Sequence, residues 1–386
     1  MRCIVLLGIG HTNAHVVREW IHSPIPDCRL VCVSNSPTAT YSGMLPGTLA
    51  GQFQANEMEI DLEALCLSAG AELMLAEVNG LDTTTSTLHF ANAESLHFDV
   101  LSIGVGSMPA GWRDMQSESL VPIKPMYMFL DRLDGRLRES IQSRAHHESC
   151  PLRISVVGGG VASIEIALCL QTRLRLQFKN ESASIQILTA AREIASELRP
   201  RSIRRLRQIL GKRGITIVTN TRVTEVSDRI LVAFDGTQYQ ADCVIWATGA
   251  VAPLVLAKLA LPTDERGFIA TESTLKTIAE WPIFAVGDSG TIIDDPAPKA
   301  GVYAVRQSPI LWHNLQATLS GGELIPYVPQ GDFLKLLNTG DGKALLQYKS
   351  LTFYGRWCWW LKVLIDRRFV EQFKEDTTTR RDVTFR

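Results

Sequence analysis

The stretch Ile154-Ser155-Val156-Val157-Gly158-Gly159-Gly160-Val161-Ala162-Ser163-Ile164-Glu165 decides the fold. An apolar run typical of a buried strand leads into three glycines, and a run with helical spacing follows. The glycines permit a tight turn and a close approach of the backbone to a pyrophosphate, which the free N–H groups of the helix attract. The pattern predicts a dinucleotide-binding βαβ unit, and its candidate nucleotide ligands are Gly158, Gly160 and Ser163.

The same arrangement occurs nearer the N-terminus, where the run Cys3 to Leu7 leads into Gly8-Ile9-Gly10-His11-Thr12-Asn13. Gly158 lies 150 residues after Gly8, and Gly249, which ends a later apolar run, lies 143 residues after its counterpart Gly106. Two such spacings in one order indicate an internal repeat. The predicted class is α/β with two Rossmann-like dinucleotide-binding domains. Further candidate cofactor ligands are Gly8, Gly10, Asn13, Gly106 and Gly249.

Composition restricts the function classes. The chain has 386 residues and a formal net charge of -1, which leaves no global electrostatic case for binding nucleic acid. Its eight cysteines show no C-x-x-C spacing, so we expect reduced thiols and no metal site. No apolar stretch approaches the ~18–20 residues of a transmembrane helix. The N-terminal apolar run enters the glycine turn directly, which favours a first core strand and a cytoplasmic protein.

Three positions depart from the usual dinucleotide fingerprint. Asn13 occupies the place of the third glycine, which we expect to loosen helix–strand packing without removing the phosphate site. Ser34 stands where an acidic residue normally binds a ribose, and either a ribose contact or a polar turn fits it. Arg192 stands at the corresponding place in the second copy. It suits either a 2′-phosphate of NADPH or an exposed surface position.

A loop at residues 41–47 follows the second strand of the first copy. Its glycines and proline suit a fixed segment lying close to a planar ligand, although an ordinary turn explains them equally well. The candidate contacts in this loop are Ser42, Gly43 and Pro46.

Two further motifs, Trp246-Ala247-Thr248-Gly249 and Val286-Gly287-Asp288, complete a known pattern. Together with the paired fingerprints they resemble the FAD-dependent pyridine nucleotide-disulfide oxidoreductase superfamily over residues 1–319. Residues 41–47, 57–62 and 298–307 and the C-terminal tail are similar to the type II NADH dehydrogenase-like branch that is often fused to selenophosphate synthetase.

The resemblance implies FAD and either NADH or NADPH as cofactors. It implies that Gly287 and Asp288 hold the ribityl chain of FAD. It also implies that Lys299, Ala300 and Gly301 present a helix N-terminus to the flavin, where the N–H groups stabilise developing negative charge. Glu165 matches the glutamate that orients the nicotinamide. Lys299 and Glu165 are therefore the candidate catalytic residues.

The acceptor of the electrons is less constrained. Disulfide reductases of the superfamily carry a cysteine pair beside the flavin, but residues 41–53 contain no cysteine. Electrons must then pass from the flavin to an external small molecule, and the resemblance favours a quinone. One alternative is a sulfur or selenium compound, with Cys358 as a redox thiol. Another is a non-catalytic flavoprotein that responds to NAD(P)H and binds a partner.

We predict four segments: an FAD domain in two parts, residues 1–122 and 265–322; an inserted NAD(P)H domain, 123–264; and a C-terminal cap, 323–386. The segment from Trp357 to Phe369 combines tryptophans with cations. It suits peripheral contact with the inner face of the membrane, but its apolar residues are not confined to one stripe, which favours packing on the flavin domain. A homodimer is a further expectation.

Overall fold

The computed structural model describes residues 1–115, 117–144, 151–179, 183–227 and 229–384. The first elements are β1 (Arg2–Leu7), α1 (His11–His22), β2 (Cys28–Ser34), β3 (Thr38–Thr40), α2 (Leu45–Leu49), β4 (Glu59–Asp61), α3 (Leu62–Ala69), β5 (Glu72–Leu75), β6 (Val78–Asp82), β7 (Thr87–Phe90), β8 (Leu96–His97) and β9 (Val100–Ile103).

The middle of the chain follows the same plan. Its elements are β10 (Met108–Pro109), β11 (Leu120–Pro122), α4 (Phe129–Arg144), β12 (Arg153–Val157), α5 (Val161–Gln177), β13 (Ser184–Leu188), α6 (Pro200–Lys212), β14 (Thr216–Val218), β15 (Val223–Ser227), β16 (Ile230–Ala233), β17 (Gln238–Gln240), β18 (Cys243–Trp246) and β19 (Ala250–Val251).

The remaining elements return to the first domain and then form the C-terminal part. They are α7 (Leu254–Lys258), β20 (Ile269–Thr271), β21 (Ile283–Ala285), β22 (Gly290–Ile292), α8 (Gly301–Ser320), β23 (Lys335–Asn338), β24 (Ala344–Tyr348), β25 (Leu351–Gly355) and α9 (Arg356–Thr384).

Two parallel five-stranded sheets form the framework. The first has the order β21-β9-β1-β2-β5 and the second the order β11-β18-β12-β13-β14. Both faces of the first sheet are covered, by α1, α3 and α8 on one side and by β6–β8 and α7 on the other. Strands buried on both faces are continuous apolar runs, and β1 is buried from Cys3 to Leu7. Each domain adds a three-stranded antiparallel sheet, β6–β8 in the first and β15–β17 in the second. The predicted α/β class and its internal repeat are both present.

Both predicted boundaries of the inserted domain need correction. Strand β11 lies before residue 123 but pairs in parallel with β18, so the second domain begins before Leu120. Leu256, Leu259 and Leu261 lie before residue 265 but pack in one apolar cluster with Val5 of the first sheet. The chain therefore returns to the first domain near β19, because these leucines cover the face of the first sheet.

The C-terminal part joins the two domains. Strands β23, β24 and β25 form an antiparallel sheet beside α5 and α6, and α9 crosses from this sheet to α3, α1 and β4 of the first domain. The buried side chains of α9 recur at helical spacing and form one stripe: Cys358, Lys362, Asp366, Val370 and Phe373. As expected, the apolar residues of this helix are not confined to that stripe, since Trp360 and Leu364 are exposed on another face. Within the described residues, each helix is too short or too polar to cross a bilayer.

Candidate active site

The glycine turn after β1 forms a cradle that only a small residue fits. Gly8 has a φ of +79°, and a Cβ there would lie 2.8 Å from the backbone of Gly104. Gly10 is the N-cap of α1, and a Cβ on it would lie 3.1 Å from the Gly104 carbonyl oxygen. Since glycine has no side chain to cap a helix, the first N–H groups of α1 stay available to an anion.

Asn13 does not loosen this packing, contrary to our expectation. Its Nδ2 donates to the Gly8 carbonyl at 2.8 Å, and its Oδ1 accepts from Ser102 Oγ at 2.8 Å. Ser163 has the same place in the second domain, where its hydroxyl donates to the Ala247 carbonyl at 3.0 Å. Both side chains are fully buried. They fasten each helix to its sheet through hydrogen bonds within the protein.

Asp288 lies at the end of the first sheet, in a polar corner. Its Oδ2 accepts from Ser107 Oγ at 2.6 Å, and Lys124 Nζ lies 3.4 Å from the same oxygen. Gly106, with a φ of +80°, donates its N–H to Ser289 Oγ at 2.8 Å. The carboxylate is thus held by a hydroxyl and an ammonium. Sequence reasoning missed both partners because they follow no fixed spacing from Asp288.

The N-terminus of α8 lies beside this corner. Ala300 is its N-cap and Gly301 its first residue, and alanine offers no capping oxygen. The start of α8 is fixed to α1 because Thr12 Oγ1 donates to the Ala304 carbonyl at 2.7 Å. Gly287, with a φ of +58°, donates its N–H to Gln307 Oε1 at 2.6 Å.

The side chain of Lys299 is engaged elsewhere. Its Nζ donates to Thr291 Oγ1 at 2.9 Å and lies 4.1 Å from the centre of the Phe268 ring. Burial lowers the pKa of this ammonium to about 8, partly offset by Asp288. The amine therefore braces the β20–β22 pair. The first N–H groups of α8, by contrast, receive no side-chain cap from Ala300.

The loop at residues 41–47 is fixed from two sides. The Gly43 carbonyl accepts from Lys362 Nζ at 2.9 Å, and a Cβ on Gly43 would collide with the Tyr41 ring at 2.6 Å. Pro46 is buried within α2. Ser42 Oγ would lie 3.9 Å from a Cβ placed on Gly301. The loop and the N-terminus of α8 therefore face each other.

His11 is a site residue that sequence reasoning missed. Its Nε2 is buried, lacks a hydrogen-bond partner among the described residues, and would lie 3.7 Å from a Cβ on Gly301. Its ring lies 5.4 Å from the Tyr41 ring and 5.5 Å from the Phe369 ring. Burial lowers the pKa of this imidazole to about 4, so it is neutral at neutral pH. A histidine opening a helix gave no signal in the sequence.

Glu165 meets the C-terminal part rather than open solvent. Its Oε1 accepts from the Asn338 N–H at 2.7 Å. Burial raises the pKa of this carboxyl to about 7, and Lys362 partly offsets the rise. Lys362 Nζ also pairs with Asp366 Oδ2 at 2.9 Å. Burial alone would lower the pKa of Lys362, but the carboxylates of Asp366 and Glu165 hold it above its usual value.

In the second glycine turn, the first and last glycines differ in the space available for a side chain. Gly158 has a φ of +133°, and a Cβ there would lie 2.1 Å from the Ala247 carbonyl oxygen. Gly160 is the N-cap of α5, and a Cβ there would meet only Glu197 Oε1, at 3.8 Å. Gly158 is thus required by the fold. Gly160 leaves room above the turn for a ligand.

Other predicted contacts lie at the edges of these sites. Arg192 is exposed in the loop that follows β13. Ser34 uses its hydroxyl in a local turn, donating to the Ser36 carbonyl at 2.7 Å. The Gly249 carbonyl accepts from the Ala110 N–H at 2.8 Å, which joins the two domain connections. Cys358 is buried and burial raises the pKa of its thiol, so a redox role at the surface does not suit it.

Two parallel sheets, each with a glycine turn opening onto a helix N-terminus, define a protein that binds two dinucleotides. The model of the family described as pyridine nucleotide-disulphide oxidoreductase matches residues 3–314, and the chain belongs to this family. The predicted superfamily and fold class are confirmed. The protein is an FAD-dependent oxidoreductase that uses NAD(P)H, as predicted.

Individual relatives agree with the family match. Demethylphylloquinone reductase NdbB of Synechocystis sp. is 24% identical over 359 residues, covering 86% of this chain and 85% of the relative. NDH2 of Plasmodium falciparum, solved with NADH, superimposes with a TM-score of 0.81 at 14% identity, covering 98% and 97%. Sulfide:quinone oxidoreductase of Aquifex aeolicus gives 0.80 at 15% identity, covering 97% and 92%.

The residues present fit FAD. The Gly8 cradle and the uncapped N-terminus of α1 suit a pyrophosphate. Asp288 offers a carboxylate for hydroxyl groups. The buried Nε2 of His11, which has no hydrogen-bond partner among the residues that the structure describes, lies next to Gly301. These groups converge on one edge of the first sheet.

Proposed function

We propose that the protein is an NAD(P)H:quinone oxidoreductase. The observation that carries the proposal is similarity over most of both chains to a demethylphylloquinone reductase, a relative named for a quinone substrate. Residues 41–53 contain no cysteine pair to receive electrons, which supports a direct transfer to an external acceptor.

A buried titratable carboxyl supports the same acceptor. Bound FAD supplies two-electron storage between the hydride donor and the acceptor. Reduction of a quinone by NAD(P)H also consumes one proton. Glu165 has a pKa of about 7 and lies in the same buried cluster as Lys362, which contacts the loop at residues 41–47. A carboxyl near neutrality is suited to hold and release that proton.

The proposed cofactor contacts follow the geometry described above. For FAD we propose the backbone of Gly8, Gly10 and Gly301, and the side chains of His11 and Asp288. For NAD(P)H we propose Gly160 and, when the nucleotide carries a 2′-phosphate, Arg192. We propose that residues 1 to about 119 and about 250–322 form the FAD domain, and that the NAD(P)H domain lies between them.

An anaerobic two-step experiment tests the acceptor. Purified yellow protein is reduced with one equivalent of NADH or NADPH, and the rate of flavin reoxidation is then followed with menadione, a short-chain ubiquinone, polysulfide and selenite. We expect the quinones to reoxidise the flavin at least tenfold faster than the sulfur and selenium compounds. The opposite order would overturn the proposal and favour the sulfur or selenium alternative. Absence of flavin reduction by both nucleotides would favour the non-catalytic one.

We also propose that α9 brings the enzyme to a membrane surface. The supporting observation is the outer face of the helix, where Trp357, Trp360 and Leu364 are 53%, 65% and 62% exposed. Phe353 of β25 lies 5.5 Å from the Trp357 ring and extends this apolar surface. The exposed Arg367 and Arg368 follow on the same helix, as at an anionic interface.

Liposome flotation with the Trp360→Ser, Leu364→Ser double variant tests this contact. Wild-type protein should bind anionic vesicles at low salt, and the variant should lose binding while its flavin reduction rate stays unchanged. The matched control is Leu176→Ser, since Leu176 is also 62% exposed but lies on α5. Equal vesicle binding by variant and wild type would contradict the proposal. Loss of self-association in sedimentation would instead assign the surface to the expected homodimer.

A further inference from the structure

A carboxylate of the chain itself occupies the N-terminus of α5. The N–H of Val161 donates to Glu197 Oε1 at 3.0 Å. The N-cap of α5 is Gly160, which has no side chain to accept this bond, and the first turn carries no acidic residue. Glu197 reaches the helix from a loop 36 residues further along the chain, so the contact is a tertiary one.

The loop that carries Glu197 is held in place. Ala195 donates its N–H to the Gly159 carbonyl at 2.6 Å and adopts a φ of +45°, which costs strain for a residue with a Cβ. Ile194, Ala195 and Leu198 are buried, whereas Glu197 is exposed. The backbone is therefore anchored beside the glycine turn. The side chain of Glu197 can therefore leave the Val161 N–H without moving the backbone of the loop.

The nucleotide needs the same donors. A pyrophosphate bound at the second glycine turn approaches the first N–H groups of α5, as in other dinucleotide sites. The Val161 N–H cannot serve both oxygens, and a carboxylate beside a doubly charged pyrophosphate is repelled. We propose that the Glu197 carboxylate occupies the place of the pyrophosphate and thereby lowers the affinity for NAD(P)H. The nucleotide must displace this carboxylate to bind. The inference rests on the proposed NAD(P)H site.

The contact has a use in turnover. The oxidised nucleotide must leave before an acceptor can reach the reduced enzyme if both use neighbouring space. A carboxylate that returns to the Val161 N–H after release opposes rebinding of the oxidised nucleotide, since both need the same donor. The expected signature is a change in nucleotide affinity without a change in the limiting rate of flavin reduction.

Two substitutions separate charge from hydrogen bonding. Glu197→Gln keeps a carbonyl acceptor for the Val161 N–H but removes the charge, and Glu197→Ala removes both. The matched control is Glu225→Gln, which neutralises an exposed acid of β15 in the same domain. Binding of NAD⁺ to the oxidised, FAD-loaded protein is measured by calorimetry. The NADH concentration dependence of flavin reduction is measured by stopped flow.

We expect Kd for NAD⁺ and NADH to fall about fivefold in both Glu197 variants, with the difference shrinking at high salt. The limiting reduction rate should stay within twofold, and Glu225→Gln should match the wild type. Unchanged binding in Glu197→Gln would overturn the inference. Weaker binding would overturn it too, because the carboxylate would then contact the nucleotide. In either case, wild-type protein that binds and oxidises NADH would leave the proposed function intact. Absence of binding in every protein would overturn both.

Discussion

The hydroxyl of Tyr41 donates to Asp366 Oδ1 at 3.2 Å, although 325 residues separate them. The Tyr41 ring also stacks on Phe369, with centroids 4.2 Å apart and planes 22° apart. The loop beside the proposed flavin site is thus held by α9 through a polar and an aromatic contact. Asp366 serves two partners at once, since it also pairs with Lys362.

Removing Asp366 should cost more stability than removing its tyrosine partner. Asp366→Ala leaves the buried Lys362 without its nearest carboxylate, and we expect a loss of about 3 kcal/mol. Tyr41→Phe keeps the ring stack and loses one hydrogen bond, for about 1 kcal/mol. Urea unfolding of the FAD-loaded protein measures both. Glu371→Ala, an exposed position on α9, serves as the control. Equal losses for the two variants would contradict this ranking.

Asp288→Ala should weaken retention of FAD. A bound hydroxyl would lose its charged acceptor, an effect of about 1.5–3 kcal/mol, or roughly tenfold to a hundredfold in Kd. The measurement is flavin fluorescence released on dilution. Asp295→Ala, an exposed neighbour, should retain flavin like the wild type. Full retention in Asp288→Ala would remove this residue from the site.

The two ends of the second glycine turn should respond differently to substitution. Gly160→Val places methyl groups where the structure leaves room, so the protein should fold and keep FAD while losing reduction by NAD(P)H. Gly158→Ala creates a Cβ 2.1 Å from the Ala247 oxygen and should yield little folded protein. Absorbance spectra and anaerobic NADH titration report both outcomes. Gly160→Val protein that is reduced normally would exclude this turn as the nucleotide site.

The pKa of Glu165 should make stability depend on pH. A carboxyl whose pKa rises from 4.5 to about 7 on folding binds its proton more tightly in the folded state. Stability from this group is therefore full below pH 4.5 and is lost as the pH rises through 7. Relative to Glu165→Gln, wild-type stability should fall by at most about 3 kcal/mol across that range. Parallel pH profiles in urea unfolding would show that the carboxyl has an ordinary pKa.

The framework could be predicted because its determinants are local. Gly8 and Gly158 must be glycines for the turns to form, and the apolar strands before them are buried on both faces, so order and spacing were enough. The corrected boundaries at β11 and α7 had weaker signals. A three-residue strand or a five-residue helix has too few positions to display a period.

Most of the buried polar cluster around Lys362 could not be predicted. Lys362 and Asp366 resemble an ordinary i, i+4 pair on a surface helix, and only their burial against Glu165 and Tyr41 distinguishes them. Asn13 was misjudged for a related reason. The sequence does not reveal that Ser102 lies opposite Asn13 and donates a hydrogen bond to its side-chain oxygen.

The position of α9 has a consequence for how the protein matures. Val370 joins the apolar core shared with Met44, and Phe373 joins the core built around α1. Contacts that span more than 300 residues form late, because a long loop must close before they stabilise anything. A ribosome therefore releases most of both nucleotide domains before α9, which holds the loop at residues 41–47, has been synthesised. Firm capture of the flavin is expected to follow synthesis of α9 rather than of the domain that binds the flavin.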